Sequence, residues 1–219
     1  MATKIYKSQL KFFERAYALD KDLWTDFKDD PIVGKVEKLI KKESPKGKIL
    51  DLGCGRGRNS ILLAKQGFEV WGIDLVPKAL NVAKESAEKE KLDGRVHFQK
   101  ADALDLSFEK DFFDGIIDKG CFHHIVKKDW AKYWRNISKV LKDGGYFLLV
   151  VFSKKSPHLL STKHNYVVHK GDVGVHFHYD HFFTKKELKE AFPGFKLLEL
   201  HEKDDSPYIF YYGIFQKRK

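Results

Sequence analysis

The stretch Ile49–Gly57, read as ILDLGCGRG, constrains the fold more than any other part of the chain. Lys48–Leu52 is a short apolar run carrying one acid, Asp51. Three glycines follow at alternate positions, Gly53, Gly55 and Gly57, and the sequence turns helical over Asn59–Lys65. Strand, glycine turn and helix form the first unit of a Rossmann-like sheet, and a nucleotide-type ligand sits at such a turn. Glycine suits the position because the chain turns sharply and its backbone must approach the ligand with no Cβ in the way.

The rest of the chain alternates in the same manner. Asp30 and Pro31 are the expected N-cap and first residue of a helix with Val33, Val36, Leu39 and Ile40 at helical spacing. After the glycine turn, Ile61, Leu62 and Ala64 are expected to face the sheet, with Gly67 ending the helix. Strand two is Glu69–Asp74, and Pro77 opens a helix burying Ala79, Leu80, Ala83 and Ala87. Strands three and four are Arg95–Lys100 and Phe112–Asp118. An amphipathic helix spans Lys128–Lys142, with Trp130, Trp134, Ile137, Val140 and Leu141 on one face, and leads into strand five, Tyr146–Phe152. Near the end, Thr184 and Glu187 make a capping box for a helix reaching Gly194. Phe195–His201 and Tyr208–Gln216 have no helix between them, so they pair antiparallel. The expected fold is α/β: a Rossmann-like three-layer sandwich with a seven-stranded, mostly parallel sheet and a terminal antiparallel strand pair. The 219 residues are read as one domain, with residues 1–45 as a helical flap and 153–183 as an inserted lid.

In open parallel sheets, ligands bind outside the carboxyl ends of the strands. The first four strands end near an acid: Asp51, Asp74, Asp102 and Asp118. Four such acids in register point to a shared cationic or hydroxyl-rich ligand. Asp74 stands about where an acid meets ribose hydroxyls in such folds, roughly 20 residues past the glycines. A dinucleotide is disfavoured, because Arg58 occupies the place of the third glycine in G-x-G-x-x-G. Asp51 would also repel a pyrophosphate, whereas it suits an ammonium group.

The segments DLGCGRGRNS, GIDLVPKAL, ADALDL and FDGIIDKGCFHHI together resemble the class I S-adenosylmethionine-dependent methyltransferases, most of all the thiopurine and tellurite-resistance small-molecule branch. The resemblance is strong over 46–151. It implies that Asp51, Gly53, Cys54 and Gly55 line the methionine part of the cofactor, with Arg58 and Asn59 matching the RGRN form of the tellurite-resistance branch. It implies further that Asp74 binds the ribose, Leu75 covers the adenine, and Asp102 faces the adenine amino group with Ala103 beside it. Asp118, Lys119 and Gly120 would flank the sulfonium. His123 and His124, with Asp118, are the expected catalytic groups, because a hydroxyl or protonated amine must lose a proton while a thiolate need not. The DxPPY-like tetrad of enzymes that methylate base or amide nitrogens is replaced by DKGC, which lowers nucleic-acid and protein-amide substrates.

The net charge of +10 makes RNA methylation the second reading, although no block of five or six basic residues occurs. A non-catalytic cofactor-binding accessory protein is the third. No apolar run nears the roughly 20 residues that span a bilayer, so no membrane partner and a cytoplasmic location are expected. The two cysteines, Cys54 and Cys121, are expected to stay reduced. Residues 153–183 hold six histidines, and His169, His176, His178 and His181 with Asp172 and Asp180 could ligate a metal. A substrate lid is the preferred reading, with no metal in the reaction.

Overall fold

A computed structural model describes residues 4–22, 31–92, 94–157, 166–171, 174–205 and 208–219, with only the backbone described over 166–171 and 174–178. The helices are α1 (Lys4–Ala18), α2 (Pro31–Glu43), α3 (Arg58–Lys65), α4 (Pro77–Lys89), α5 (Trp130–Val140) and α6 (Lys185–Glu190). The strands are β1 (Lys48–Leu52), β2 (Glu69–Asp74), β3 (Val96–Lys100), β4 (Phe113–Lys119), β5 (Leu141–Phe152), β6 (Tyr166–Gly171), β7 (Gly174–Tyr179), β8 (Phe195–Asp205) and β9 (Tyr208–Lys217). The main sheet has seven strands in the order β3-β2-β1-β4-β5-β9-β8. β1 pairs parallel with both β2 and β4, so the strand order reverses between β1 and β4. β9 is antiparallel to β5 and β8.

Pleating sends alternate β1 residues to opposite layers. Ile49 joins the core under α2, α3 and α4, with Val36, Leu63 and Ala83. Leu50 and Leu52 join the core under α5 and α6, with Ile137, Val140 and Leu188. Both faces are covered, which explains why β1 and β4 read as apolar runs rather than as alternating ones.

Several expected boundaries move. α3 buries Ser60, Leu63 and Ala64, and leaves Ile61 and Leu62 half-buried. The helix begins at Arg58, directly after Gly57, and Ser60 is drawn inward by a hydrogen bond to Asp51. Leu141 and Lys142 continue the helical period of α5, yet Leu141 pairs with Phe113 as the first residue of β5. α2 packs Val33, Val36 and Ile40 into the sheet layer, so of residues 1–45 only the part around α1 can serve as a flap. Asp30 lies outside the described residues. The 153–183 insertion contains a β-hairpin, with β6 and β7 forming a sheet of their own. A bridge between Ser153 and Phe183 closes its base, and α1 lies against β7. Among the described residues no helix is long and apolar enough to cross a membrane.

Candidate active site

The loop after β1 is held from both sides. The Gly57 N–H donates to the Cys54 carbonyl at 2.9 Å, and the Cys54 N–H donates to Ile73 of β2 at 2.9 Å. Gly53, Gly55 and Gly57 all have positive φ, at 66°, 54° and 75°. At Gly57 a Cβ would stand 2.5 Å from Phe98 Cζ and 2.8 Å from Ala83 Cβ, so this glycine lets the loop pack on α4 and β3. At Gly55 a Cβ would stand 2.6 Å from the Tyr17 hydroxyl of α1.

The four strand-end acids fall into two pairs. Asp74 and Asp102 form the rim. Asp74 accepts the Gly55 N–H at 3.0 Å and the Val76 N–H at 2.9 Å, tying β2 to the glycine loop. Burial pushes its carboxyl above the usual range. Asp102 is exposed and accepts the Leu104 N–H at 2.8 Å, with Ala103 buried beside it. Asp51 and Asp118 lie inside. Asp51 is 1% exposed and accepts the Ser60 hydroxyl at 2.6 Å. Burial raises its pKa to about 6, the same value reached by Asp118 for the same reason.

Asp118, expected among the reacting groups, is held by donors from its own turn and from α5. It is fully buried, and its oxygens are engaged by the Cys121 N–H at 2.8 Å, the Phe122 N–H at 3.1 Å and the Tyr133 hydroxyl at 2.5 Å. It therefore shapes the turn that carries His123 and His124. Tyr133 of α5 was missed in the sequence, where Trp130 and Trp134 dominate the apolar face. Lys119 and Gly120 are half-buried on this turn, with Gly120 at φ 97° and His123 Cε1 3.6 Å from where its Cβ would lie.

α1 crosses the carboxyl ends of β1 and β4. At one end, Arg56 of the glycine loop binds Asp22 through two 2.7 Å contacts and Asp20 through a third. In the middle, Gln9 Nε2 donates to the His124 carbonyl at 3.0 Å, and the Phe13 ring meets the His124 ring edge-on at 5.0 Å. At the other end, the Tyr6 hydroxyl donates to Asp129 and accepts from the Val126 N–H. Sequence spacing held no signal for Gln9, Asp22 or Arg56, because their partners are distant in the chain.

The histidine pair is packed and paired. His123 stacks on Phe152 at 4.1 Å, and its Nε2 is 3.2 Å from His124 Nε2. His124 Nδ1 stands 2.8 Å from Asp180 Oδ1, at the end of β7. His181 turns the other way, to the Tyr179 hydroxyl at 3.0 Å and Glu187 at 3.3 Å. The His181–Asp180 part of the suggested metal cluster is thus split between two sets of partners. The side chains of His169, Asp172, His176 and His178 lie outside the described residues.

A model of the methyltransferase domain matches residues 49–145. An uncharacterized methyltransferase of Schizosaccharomyces pombe is 35% identical over 106 residues, covering 48% of this chain and 72% of that protein. The chain belongs to the S-adenosylmethionine-dependent methyltransferases. A ubiquinone/menaquinone biosynthesis C-methyltransferase of Vibrio parahaemolyticus is 33% identical over 140 residues, 59% of this chain and 53% of that one. Among solved structures, the 1,6-didemethyltoxoflavin-N1-methyltransferase of Burkholderia thailandensis, bound to 1,6-didemethyltoxoflavin and S-adenosylhomocysteine, has the same fold. Its TM-score is 0.74 at 22% identity, covering 100% of this chain and 92% of that one. The residues of the methyltransferase site fit the cofactor chemically. Leu75, next to Asp74, is 40% exposed, one of two large apolar side chains exposed among the described residues, with Leu19. Burial and the neighbouring acids hold the thiols of Cys54 and Cys121 well above the ordinary range, so neither is an activated nucleophile.

Proposed function

We propose that the protein transfers a methyl group from S-adenosylmethionine to a small-molecule acceptor, as the thiopurine and tellurite-resistance branch does. In this reading Asp51, Gly53, Cys54 and Gly55 hold the methionine part, with Arg58 and Asn59 setting the loop at the start of α3. Asp74 binds the ribose diol, Leu75 covers the adenine, and Asp102 and Ala103 meet its edge. Asp118 fixes the turn bearing Lys119 and Gly120 beside the sulfonium. The bound cofactor supplies an electrophilic methyl on a positively charged sulfur.

The chain's own residues contribute alignment, exclusion of water and proton removal. Alignment matters most, because an in-line displacement gains chiefly from holding the reacting atoms within near-attack distance. His123 and His124 are the groups available to take a proton from the acceptor.

One observation carries the small-molecule reading: α1 runs over the carboxyl ends of β1 and β4, from Arg56 to Val126, and presents Phe13 and Gln9 to the histidine turn. A roofed, aromatic acceptor space suits a compact molecule better than a polynucleotide, which is read along an open basic groove. The charge of +10 favours RNA methylation as the second reading. Radiolabelled methyl transfer to a panel of thiols, phenols and amines, run beside transfer to total tRNA, tests the two. Label in the small molecules alone supports this reading, and label in tRNA alone overturns it. Cofactor binding without transfer to either would leave an accessory protein.

A further inference from the structure

The pair His123–His124 is set on the turn after β4, and a carboxylate from a distant part of the chain is delivered to it. Asp180 follows β7 directly and is 5% exposed. Its Oδ1 lies 2.8 Å from His124 Nδ1. The Tyr179 carbonyl lies 3.4 Å from the same nitrogen. The Tyr179 carbonyl is the hydrogen-bond acceptor at Nδ1 and the Asp180 carboxylate stands at ion-pair distance from it, so His124 Nδ1 must carry the proton. The neutral ring then has a bare Nε2, and that atom faces His123 Nε2 at 3.2 Å. Two bare nitrogens cannot face each other at this distance without repulsion, so His123 presents Nε2–H. The backbone secures the arrangement. The His181 N–H donates to the His123 carbonyl at 2.7 Å, which pins the segment after β7 to the histidine turn. Phe152 stacks on His123, and Phe13 of α1 meets His124 edge-on.

We propose that Asp180, His124 and His123 form a proton relay at the acceptor site, and hence that the acceptor is an O–H or N–H nucleophile rather than a thiolate. The proposal rests on the methyltransferase reading. An acidic thiol ionises near neutral pH and needs no base, whereas a phenol, alcohol or ammonium does. The step balances simply. The acceptor's O–H or N–H bond breaks and its proton goes to His123 Nδ1, while the His123 Nε2–H proton passes to His124 Nε2. The freed lone pair forms the bond to the methyl carbon, and the C–S electron pair stays on sulfur as a neutral thioether. His124 becomes an imidazolium, neutralised by the Asp180 carboxylate at Nδ1. A carboxylate behind an imidazole fixes the tautomer and stabilises the charged ring without itself taking the proton. Asp180 is accordingly a positioning residue, His123 touches the acceptor, and His124 receives the relayed proton. Because Asp180 belongs to the 153–183 insertion, that insertion supplies the carboxylate of the relay.

Two measurements test the relay on the full chain with S-adenosylhomocysteine bound. The first is ring nitrogen NMR of histidine-labelled protein. The expected result is His124 in the Nδ1–H form in the wild type and a mixed or reversed tautomer in Asp180→Asn, with Asp180→Glu restoring the wild-type pattern. A His124 that is Nε2–H in the wild type, or unchanged in Asp180→Asn, overturns the relay. The second, with S-adenosylmethionine in place of the product, compares methyl transfer to catechol and to thiophenol. Asp180→Asn and His124→Gln should lower kcat for catechol at least 30-fold, with KM within threefold, and change thiophenol transfer less than threefold. Equal losses for both acceptors overturn the relay, as does activity restored to a chelated enzyme by zinc. If the wild type transfers to no acceptor, the methyltransferase reading fails while the tautomer result still decides the relay.

Discussion

Arg56 and Asp22 are joined by two charge-assisted hydrogen bonds of 2.7 Å, from Nε to Oδ2 and from Nη2 to Oδ1. The carboxylate side is 4% exposed, so the pair is shielded from water. It fastens the end of α1 to the glycine loop. The third contact of Arg56, to Asp20, is to a side chain that is 74% exposed, where water screens it. Hydrogen bonds to charged groups contribute about 1.5–3 kcal/mol each. Asp22→Asn should therefore speed both binding and release of S-adenosylhomocysteine in stopped-flow experiments, by about tenfold, while Asp20→Asn changes them less than twofold. Equal rates in Asp22→Asn and wild type would show that α1 does not gate the site.

Asp51 carries a pH signature. Burial raises its pKa to about 6, from an ordinary carboxylate value. A folded-state pKa above the unfolded one means that the folded chain favours the protonated acid. Ionising Asp51 costs the cofactor-free protein stability, a cost absent below about pH 4 and fully present above about pH 6. An ammonium group placed against Asp51 removes that cost by stabilising the ionised form. S-adenosylmethionine should therefore bind more weakly as pH falls through 6, by calorimetry, and raise the melting temperature more at pH 7 than at pH 5. Asp51→Asn should flatten both trends. A wild-type affinity that is level from pH 7 to pH 5 would separate Asp51 from the cofactor amine.

Tyr133 donates to Asp118 in the fully buried space under the histidine turn. Tyr133→Phe leaves a buried carboxylate oxygen without that donor, at a cost of about 1–3 kcal/mol. In a chain of this size each kcal/mol lowers the melting temperature by about 2–4 °C. The drop should come with a fall in kcat, because the loosened turn carries His123 and His124. An unchanged melting temperature would mean that Asp118 is held by its two backbone donors alone.

Gly57 cannot carry a side chain. At φ 75° its Cβ would meet the Phe98 ring at 2.5 Å and Ala83 at 2.8 Å. Gly67, at φ 101°, has nothing within 4 Å of the same position. Gly57→Ala should abolish or severely lower soluble expression, whereas Gly67→Ala should cost only the left-handed backbone penalty of about 1–2 kcal/mol. Denaturant midpoints of the two variants check the contrast. Similar midpoints would deny Gly57 its packing role.

Metal removal should leave methyl transfer intact, because the proposed transfer uses His123, His124 and Asp180 as a proton relay rather than as the ion ligands their spacing also allows. Dialysis against a chelator, followed by the transfer assay, checks this. Loss of activity that zinc restores would bring back a histidine metal site.

Local periodicity carried most of the fold. The buried set of α4 (Ala79, Leu80, Ala83 and Ala87) and the span of β2 are as the sequence pattern predicts, because both are decided by neighbouring residues. The failures come from long-range pairing. Leu141 and Lys142 continue a helical pattern that β4 overrides by pairing Leu141 with Phe113. The face of α3 turns because Ser60 answers a buried acid nine residues earlier. In the site, the glycines and the strand-end acids were legible because topology places the ends of the parallel strands on one side. The difference between rim acids and buried acids was not, since it depends on which donors surround each carboxylate. Asp180 stood in a histidine-rich stretch that suggested metal, and only the folding of β6 and β7 brings it to His124.

Central to the proposed function is that the acids at the ends of β1, β2 and β3 hold S-adenosylmethionine, with Asp74 on the ribose. Calorimetric titration of S-adenosylhomocysteine into wild type and Asp74→Ala tests this most directly, with melting temperatures confirming that both are folded. Two carboxylate–hydroxyl bonds of about 1.5–3 kcal/mol each predict affinity at least about a hundredfold weaker in the variant. Equal affinity in a folded Asp74→Ala protein would contradict the claim.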